Sequence, residues 1–274
     1  MPRRKLETFD DFNRALKNKY GIGENSSYKP WLRVQDVKSS GVRSQIYGVK
    51  SGRTHHLLSA IETEFFYLAE FSESVVDIRE QFPLLPINLS IKIAKTLDIK
   101  HPTHPTSQIP IVITTDFLIT RNVNGKKVYE AYSVKPEKDS NKLRVLEKIE
   151  IERVWWDLFG IKFNYFTGNQ TTQIQSKNVN WATHIIRSNK NRFSEDQLLA
   201  ALQYINVGLV LIKEVCDSFA LYLNVKQEHA LELLRCLIGY KYIEVDLSIA
   251  LERSDFITVY SISDFNQDLA LGNS

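Results

Sequence analysis

Residues 111–136 limit what this chain can fold into more than any other stretch. The run Ile111-Val112-Ile113-Thr114-Thr115-Asp116-Phe117-Leu118-Ile119 is β-branched and apolar, so it reads as a largely buried strand. One acid, Asp116, sits inside it. Asn122-Val123-Asn124-Gly125 supplies the turn, because Asn-Gly accepts the positive φ of a tight hairpin. The return strand is expected over 128–134, with Lys135 at its end and Pro136 stopping it. Side chains alternate along a strand, so Ser133 and Lys135 share a face and Val134 points away. An antiparallel partner then sets that face beside Asp116. A buried acid and a lysine on adjacent strands suit a divalent cation with a positive charge beside an attacking water. The same pair also makes an ordinary structural ion pair, and spacing alone does not separate the two.

A chain of 274 residues holds one large domain or two ordinary ones. Hydrophobic residues are 43% and charged residues 24%, as expected for a globular chain with a real core. The net charge is +3 and the pI about 8.7, which permits nucleic-acid binding without demanding it. Cys216 and Cys236 are the only cysteines, so no disulfide framework or zinc cluster is argued, and a reducing cytoplasm fits. No apolar signal core follows the basic start Met1-Pro2-Arg3-Arg4-Lys5. No apolar run approaches the ~20 residues of a membrane span.

Upstream of the hairpin, Leu6, Phe9, Phe12, Leu16 and Tyr20 have helical spacing, and 21–29 is a turn-rich linker. Residues 31–47 look extended, broken by Ser39-Ser40-Gly41. Arg43, Lys50, Arg53, His55 and His56 form a basic stretch that is either solvated surface or a phosphate contact. Residues 57–71 predict a helix with Leu58, Ile61, Phe65 and Leu68 on its apolar face, Ser59 as cap and Glu62 at the border. Residues 75–86 read as a strand ending in a proline-bounded turn, and 88–97 as a short helix. His101 and His104 are metal ligands or, more in keeping with the prolines beside them, part of a surface connection. Downstream, 141–158 is an amphipathic helix whose Glu147 and Glu150 either support a site or pair with neighbouring cations. A strand over 161–166 completes an α/β layout.

Composition shifts at Gly168. A first domain over 1–168 and a second over 169–274 follow. In the second, 169–190 reads as linker and first helix. Helices over 194–205, 209–223 and 226–240 then lead to strands over 241–247 and 255–262, the order of a winged helix. The face carrying Lys226, Gln227, Glu228, His229, Glu232 and Arg235 is not strongly basic, so protein contact is as good a reading as DNA contact.

Glu62, Asp116 and Lys135, in that order, match the restriction-endonuclease-like pattern of a helix acid, a strand aspartate and a lysine after a short hairpin. The sequence around them is more specific. Trp31-Leu32, the run from Ser51 to Ser59, the run from Asp77 to Pro86, Thr115-Asp116-Phe117-Leu118, Val134-Lys135-Pro136 and Leu146-Glu147-Lys148 closely resemble the TnsA family. These are endonuclease subunits of heteromeric bacterial cut-and-paste transposases. The likeness is dense from about Pro30 to Trp156, and beyond that only the domain order supports it.

The resemblance implies a restriction-endonuclease-like catalytic domain, a mixed sheet flanked by helices, followed by the winged-helix domain. It implies cleavage at the 5′ ends of a transposable element in double-stranded DNA. The implied partners are a TnsB-type transposase that handles the 3′ ends and a TnsC-type ATP-dependent regulator reached through the C-terminal domain. Glu62 and Asp116 resemble the carboxylates that bind Mg²⁺, which Mn²⁺ replaces, and the Val134 carbonyl is a further metal ligand. Lys135 resembles the lysine near the attacking water. The family carries a glutamine where this chain has Ser133, whose hydroxyl still contacts a metal or its water but with shorter reach. A stand-alone restriction-type nuclease, or a non-catalytic DNA- or protein-binding adaptor with a decayed site, are the competing functions.

Overall fold

The computed structural model describes residues 3–37 and 41–263. Met1-Pro2 of the basic start and Ser39-Ser40 of the expected break lie outside the described residues. The chain divides into two compact units, Met1–Asn169 and Gln170–Ser274.

In the first unit, α1 (Phe9–Lys17) is capped by Thr8, whose side chain accepts from the Asp11 backbone in a capping box. It buries Phe12 and Ala15 against Trp31 and Val112. The strands β1 (Ser44–Gly48) and β2 (Arg53–Leu57) form an antiparallel hairpin. Helix α2 (Ala60–Phe71) follows, with Ser59 as its N-cap. The helix expected over 57–71 therefore begins three residues later: Leu57 closes β2, and Ser59 is held extended at φ −150°.

Next come β3 (Val75–Pro83), α3 (Ile87–Thr96), β4 (Thr114–Val123), β5 (Lys126–Val134), α4 (Leu143–Asp157) and β6 (Lys162–Phe166). The sheet order is β3-β4-β5-β6, antiparallel throughout except for the parallel pair β5-β6. Leu57, Phe65, Phe66, Ile78, Phe117, Ile119 and Val134 make the core under α2. Leu84, Ile93, Leu118, Ala131, Ile151, Trp155 and Trp156 make the core under α4. Both faces of β4 are covered at its centre, which is why Phe117, Leu118 and Ile119 are apolar in succession rather than alternating.

The central hairpin forms with two corrections. Residues 111–113 do not belong to the strand: the Ile111 amide donates to the Pro102 carbonyl, and the Ile113 carbonyl accepts from Leu84. The turn is also tighter than expected. The strands run on to Val123 and from Lys126, leaving Asn124 and Gly125 at φ 50° and 77°. Both values lie in the left-handed region that a two-residue hairpin turn demands.

The second unit contains α5 (Gln170–Arg187), α6 (Glu195–Ala201), β7 (Gly208–Leu211), α7 (Ile212–Tyr222), α8 (Gln227–Gly239), β8 (Ile243–Val245) and β9 (Phe256–Ile262). Its sheet runs β7-β9-β8. Residues 209–211, expected as helix, are strand, because Leu209, Val210 and Leu211 pair with Thr258, Ile257 and Phe256 of β9. Phe219, Leu233, Leu234 and Leu237 centre the core. Cys216 and Cys236 are both buried there as free thiols, and burial pushes each up to about 11. Among the described residues no helix is long and apolar enough to cross a membrane.

Candidate active site

The site forms where the first turn of α2 meets β3, β4 and the end of β5. The cap fixes Glu62. One of its carboxylate oxygens accepts from the Ser59 hydroxyl at 2.8 Å and the other from the Leu58 amide at 2.9 Å. Asp116 lies beside it on β4, with Oδ2 accepting from the Val134 amide at 2.7 Å and from Lys135 Nζ at 2.5 Å. The structure thus brings together Glu62, Asp116 and Lys135. Val134 serves Asp116 through its N–H and buries its side chain in the core under α2. Ser133 is fully buried, and its hydroxyl finds no hydrogen-bond partner among the described residues.

Two further residues join the site, neither of them singled out in the sequence. Gln81 on β3 places its side-chain nitrogen 3.4 Å from Glu62 Oε2 and 3.5 Å from Asp116 Oδ1. Glu152 on α4 lines a cavity of about 260 Å³ with Asp116, Lys135, Ile149 and Lys148. It is 5% exposed, and one of its carboxylate oxygens has no partner. Helical spacing carries a signal for Glu152, since it stands four residues before the buried Trp156 and next to the buried Ile151. The helix reading instead followed Glu147 and Glu150, which pair with Arg144 and Arg153 on the surface.

The electrostatics are those of a site short of positive charge. Burial, and then the nearby Asp116, push the Glu62 carboxyl up to about 7. The same two causes push Glu152 up to about 8. Burial opposes the charge on Lys135, yet Asp116 and Glu152 outweigh it and hold the ammonium above the ordinary lysine range. Lys135 faces all three carboxylates and remains 32% exposed, and Lys148 adds a second, weaker positive charge beside Glu152.

These donors suit a hard cation. They are all oxygen, Glu62 and Glu152 resist ionising without a further positive charge, and one carboxylate oxygen of Glu152 has no partner among the described residues. No group of three or more His, Cys, Asp and Glu side chains stands ready as a preformed metal cluster among the described residues. Mg²⁺ needs no such cluster, because it commonly takes one or two protein carboxylates and keeps several waters. His101 and His104 are not part of this arrangement. His101 pairs with the Ser90 hydroxyl, and His104 accepts from the Ser107 amide, in the loop before β4.

The basic stretch around β2 is neither solvated surface nor a phosphate contact at its centre. Arg53 donates to both carboxylate oxygens of Glu80, at 2.9 and 2.6 Å, and His55 lies 2.8 Å from the second of them. Lys50 donates to the Ser72 and Val75 carbonyls, and Arg43 to those of Val34 and Val37. The charges were legible, but the carboxylate that pairs with Arg53 and His55 is brought in by β3.

Comparison with known proteins identifies a family. The family model described as TnsA-like endonuclease N terminal matches residues 72–168, a span that includes Gln81, Asp116, Lys135 and Glu152. The transposition protein TnsA of transposon Tn7 from Escherichia coli is 34% identical over 239 residues, covering 85% of each chain. An alignment of 239 residues is longer than the first unit, and with it this chain belongs to the TnsA family of transposition endonucleases.

Proposed function

We propose that the chain is a Mg²⁺-dependent DNA endonuclease that hydrolyses the phosphodiester at the 5′ ends of a transposable element, in complex with a TnsB-type transposase. The observation that carries this reading is the convergence of Glu62, Asp116 and Glu152 on Lys135, with more negative charge than the protein's own cations offset. Glu62 and Asp116 would hold the cation, with the Val134 carbonyl as a further ligand, and Mn²⁺ would replace Mg²⁺. When bound, the ion supplies Lewis-acid stabilisation of the phosphate oxygens and a more acidic water. Lys135 sits beside Asp116 and steadies charge that develops at the phosphate. Ser133, whose buried hydroxyl has no partner among the described residues, would contact the metal or its water. The cap formed by Ser59 and Leu58 holds Glu62 in place while the reaction proceeds.

Residues 170–274 are proposed as a winged-helix module that meets a TnsC-type regulator and, alternatively, DNA. The order α6-β7-α7-α8-β8-β9 supports this, with β7 joining the wing strands in one sheet. Two buried free thiols fit a reducing cytoplasm.

Strand-specific cleavage of a labelled transposon end tests the assignment. With Mg²⁺ and the partner transposase, 5′-strand cutting is expected. Cutting of naked DNA by the chain alone would instead mark an autonomous nuclease. No 5′ cutting in an otherwise active complex would mark an adaptor.

The raised carboxyls also predict a pH dependence. Both acids have folded values above the usual 4.5, so their contribution to stability is fully present below that pH and is lost as pH rises through about 7 and 8. A bound cation opposes that loss by favouring the charged forms. Mn²⁺ affinity measured by calorimetry should therefore rise about tenfold or more from pH 6 to pH 8, with proton release on binding. An affinity independent of pH over that range would remove Glu62 from the ligand set.

A further inference from the structure

We propose that Gln81 is a positioning residue whose side-chain amide holds the carboxylates of Glu62 and Asp116 converged, ready to receive a divalent cation. This rests on the metal-dependent reading above.

The first observation is conformational. Gln81 lies inside β3, is 3% exposed, and has φ 49°. That region is disfavoured for any residue with a Cβ, and a buried strand has no general need of it. The pairing of β3 with β4 brackets the residue, with Glu80 opposite Phe117 and Phe82 opposite Thr115. The chain thus leaves extended geometry at the one position that would face Asp116, and regains it immediately. The Gln81 carbonyl accepts from the Trp31 amide at 3.2 Å, which ties the departure down.

The second observation is where the amide goes. Its nitrogen carries two hydrogens, and two carboxylates stand in front of it, Glu62 at 3.4 Å and Asp116 at 3.5 Å. Its oxygen accepts from the Thr114 hydroxyl at 3.0 Å. The opposite orientation would set an amide oxygen against two carboxylates, so the neighbours fix which way it points. Both contacts to the carboxylates are long for an N–H···O bond. They are close enough to aim the two side chains at a common point and weak enough to yield a lone pair to an arriving cation. A glutamine therefore serves where an arginine or lysine would compete with the metal. Side chains that orient metal ligands in this way typically change affinity or activity about 10–100-fold when removed.

The test is Mn²⁺ calorimetry at pH 8 on the purified full chain, with Asp116→Ala as reference. Parent binding that is lost in Asp116→Ala keeps the metal site. Absence of parent binding would overturn the metal reading and this inference with it. Gln81→Ala that melts within a few degrees of the parent should bind Mn²⁺ about tenfold or more weakly. Equal or tighter binding by that folded variant, while the parent binds, would overturn the role of Gln81 alone. If Gln81→Ala does not fold, Gln81→Glu decides, because it keeps the length and replaces the donor with a further carboxylate. It should melt below the parent without metal at pH 8 and gain more melting temperature on Mn²⁺ saturation. A metal response equal to the parent's would sink the proposal.

Discussion

Asp116→Ala is expected to lower 5′-strand cleavage by about a thousandfold or more while leaving a folded chain. A metal ion contributes several kcal/mol of charge stabilisation to phosphoryl chemistry, and each 1.4 kcal/mol is worth about a decade in rate. Asp116 is the hub of the site. Its carboxylate accepts from the amide of Val134, the ammonium of Lys135 and the side-chain amide of Gln81. Its removal also leaves the buried Val134 N–H unpartnered, a loss of about 1–3 kcal/mol that a domain of ordinary stability survives. Asp116→Asn separates the two effects, since it keeps an acceptor for Val134 and discards the charge. Both variants should lose Mn²⁺ binding, and only the alanine should melt distinctly lower. Cleavage at the parent rate by either folded variant would remove Asp116 from the chemistry.

Much of this hub was legible because it depends on local pattern. The apolar run interrupted by one acid, the Asn-Gly turn and the lysine before a proline all lie within one hairpin. Register then follows from the turn, and Phe117 opposite Tyr132 carries Asp116 to the end of β5. Ser59 was legible as a cap for the same reason, since its bond to the Glu62 amide spans three residues. The carboxylate of Glu62 returning to the Ser59 hydroxyl adds the reciprocal contact, which explains how an acid at the edge of an apolar helix face becomes buried.

What the sequence hid depends on distant parts of the chain or on unusual backbone. Gln81 breaks strand alternation through a left-handed φ, so period-two patterning cannot place its side chain. Glu152 looks like any helix carboxylate until the sheet closes over it, and its burial comes from β4 and β5 rather than from α4. The polar string Arg53-Thr54-His55-His56 resembles surface because its counter-charge, Glu80, arrives from another strand. The two most distinctive stretches of the family likeness, Ser51 to Ser59 and Asp77 to Pro86, meet at that network. Their chemistry there is structural: it fastens β2 to the strand that carries Gln81.

That network supports the second large effect, Glu80→Ala, expected to destabilise the first unit by about 3–5 kcal/mol. Glu80 is fully buried. Oε1 accepts from Arg53 and from the His56 amide at 2.9 and 3.0 Å, and Oε2 from Arg53 at 2.6 Å. His55 stands 2.8 Å from Oε2 and passes the chain on to the Ser51 hydroxyl at 2.7 Å. Removing the carboxylate strands the Arg53 guanidinium in a dry environment, which is what makes breaking one partner so costly. Replacing both together, Arg53→Met with Glu80→Leu, should recover a large part of the loss, because neither charge is then buried alone. The pH dependence has the opposite sign to that of the Glu62 and Glu152 carboxyls. Burial alone would push the Glu80 carboxyl up, but His55 and Arg53 overcome it and hold the group far below the usual 4.5. Its contribution is therefore present above that pH and is lost as pH falls toward the folded value. Urea titrations from pH 7 to pH 3 should show the parent losing stability steeply on the acid side. Glu80→Gln, weaker at pH 7, should lose less over the same range. Parallel acid limbs for the two proteins would mean that Glu80 does not carry the charge that fastens β2 to β3.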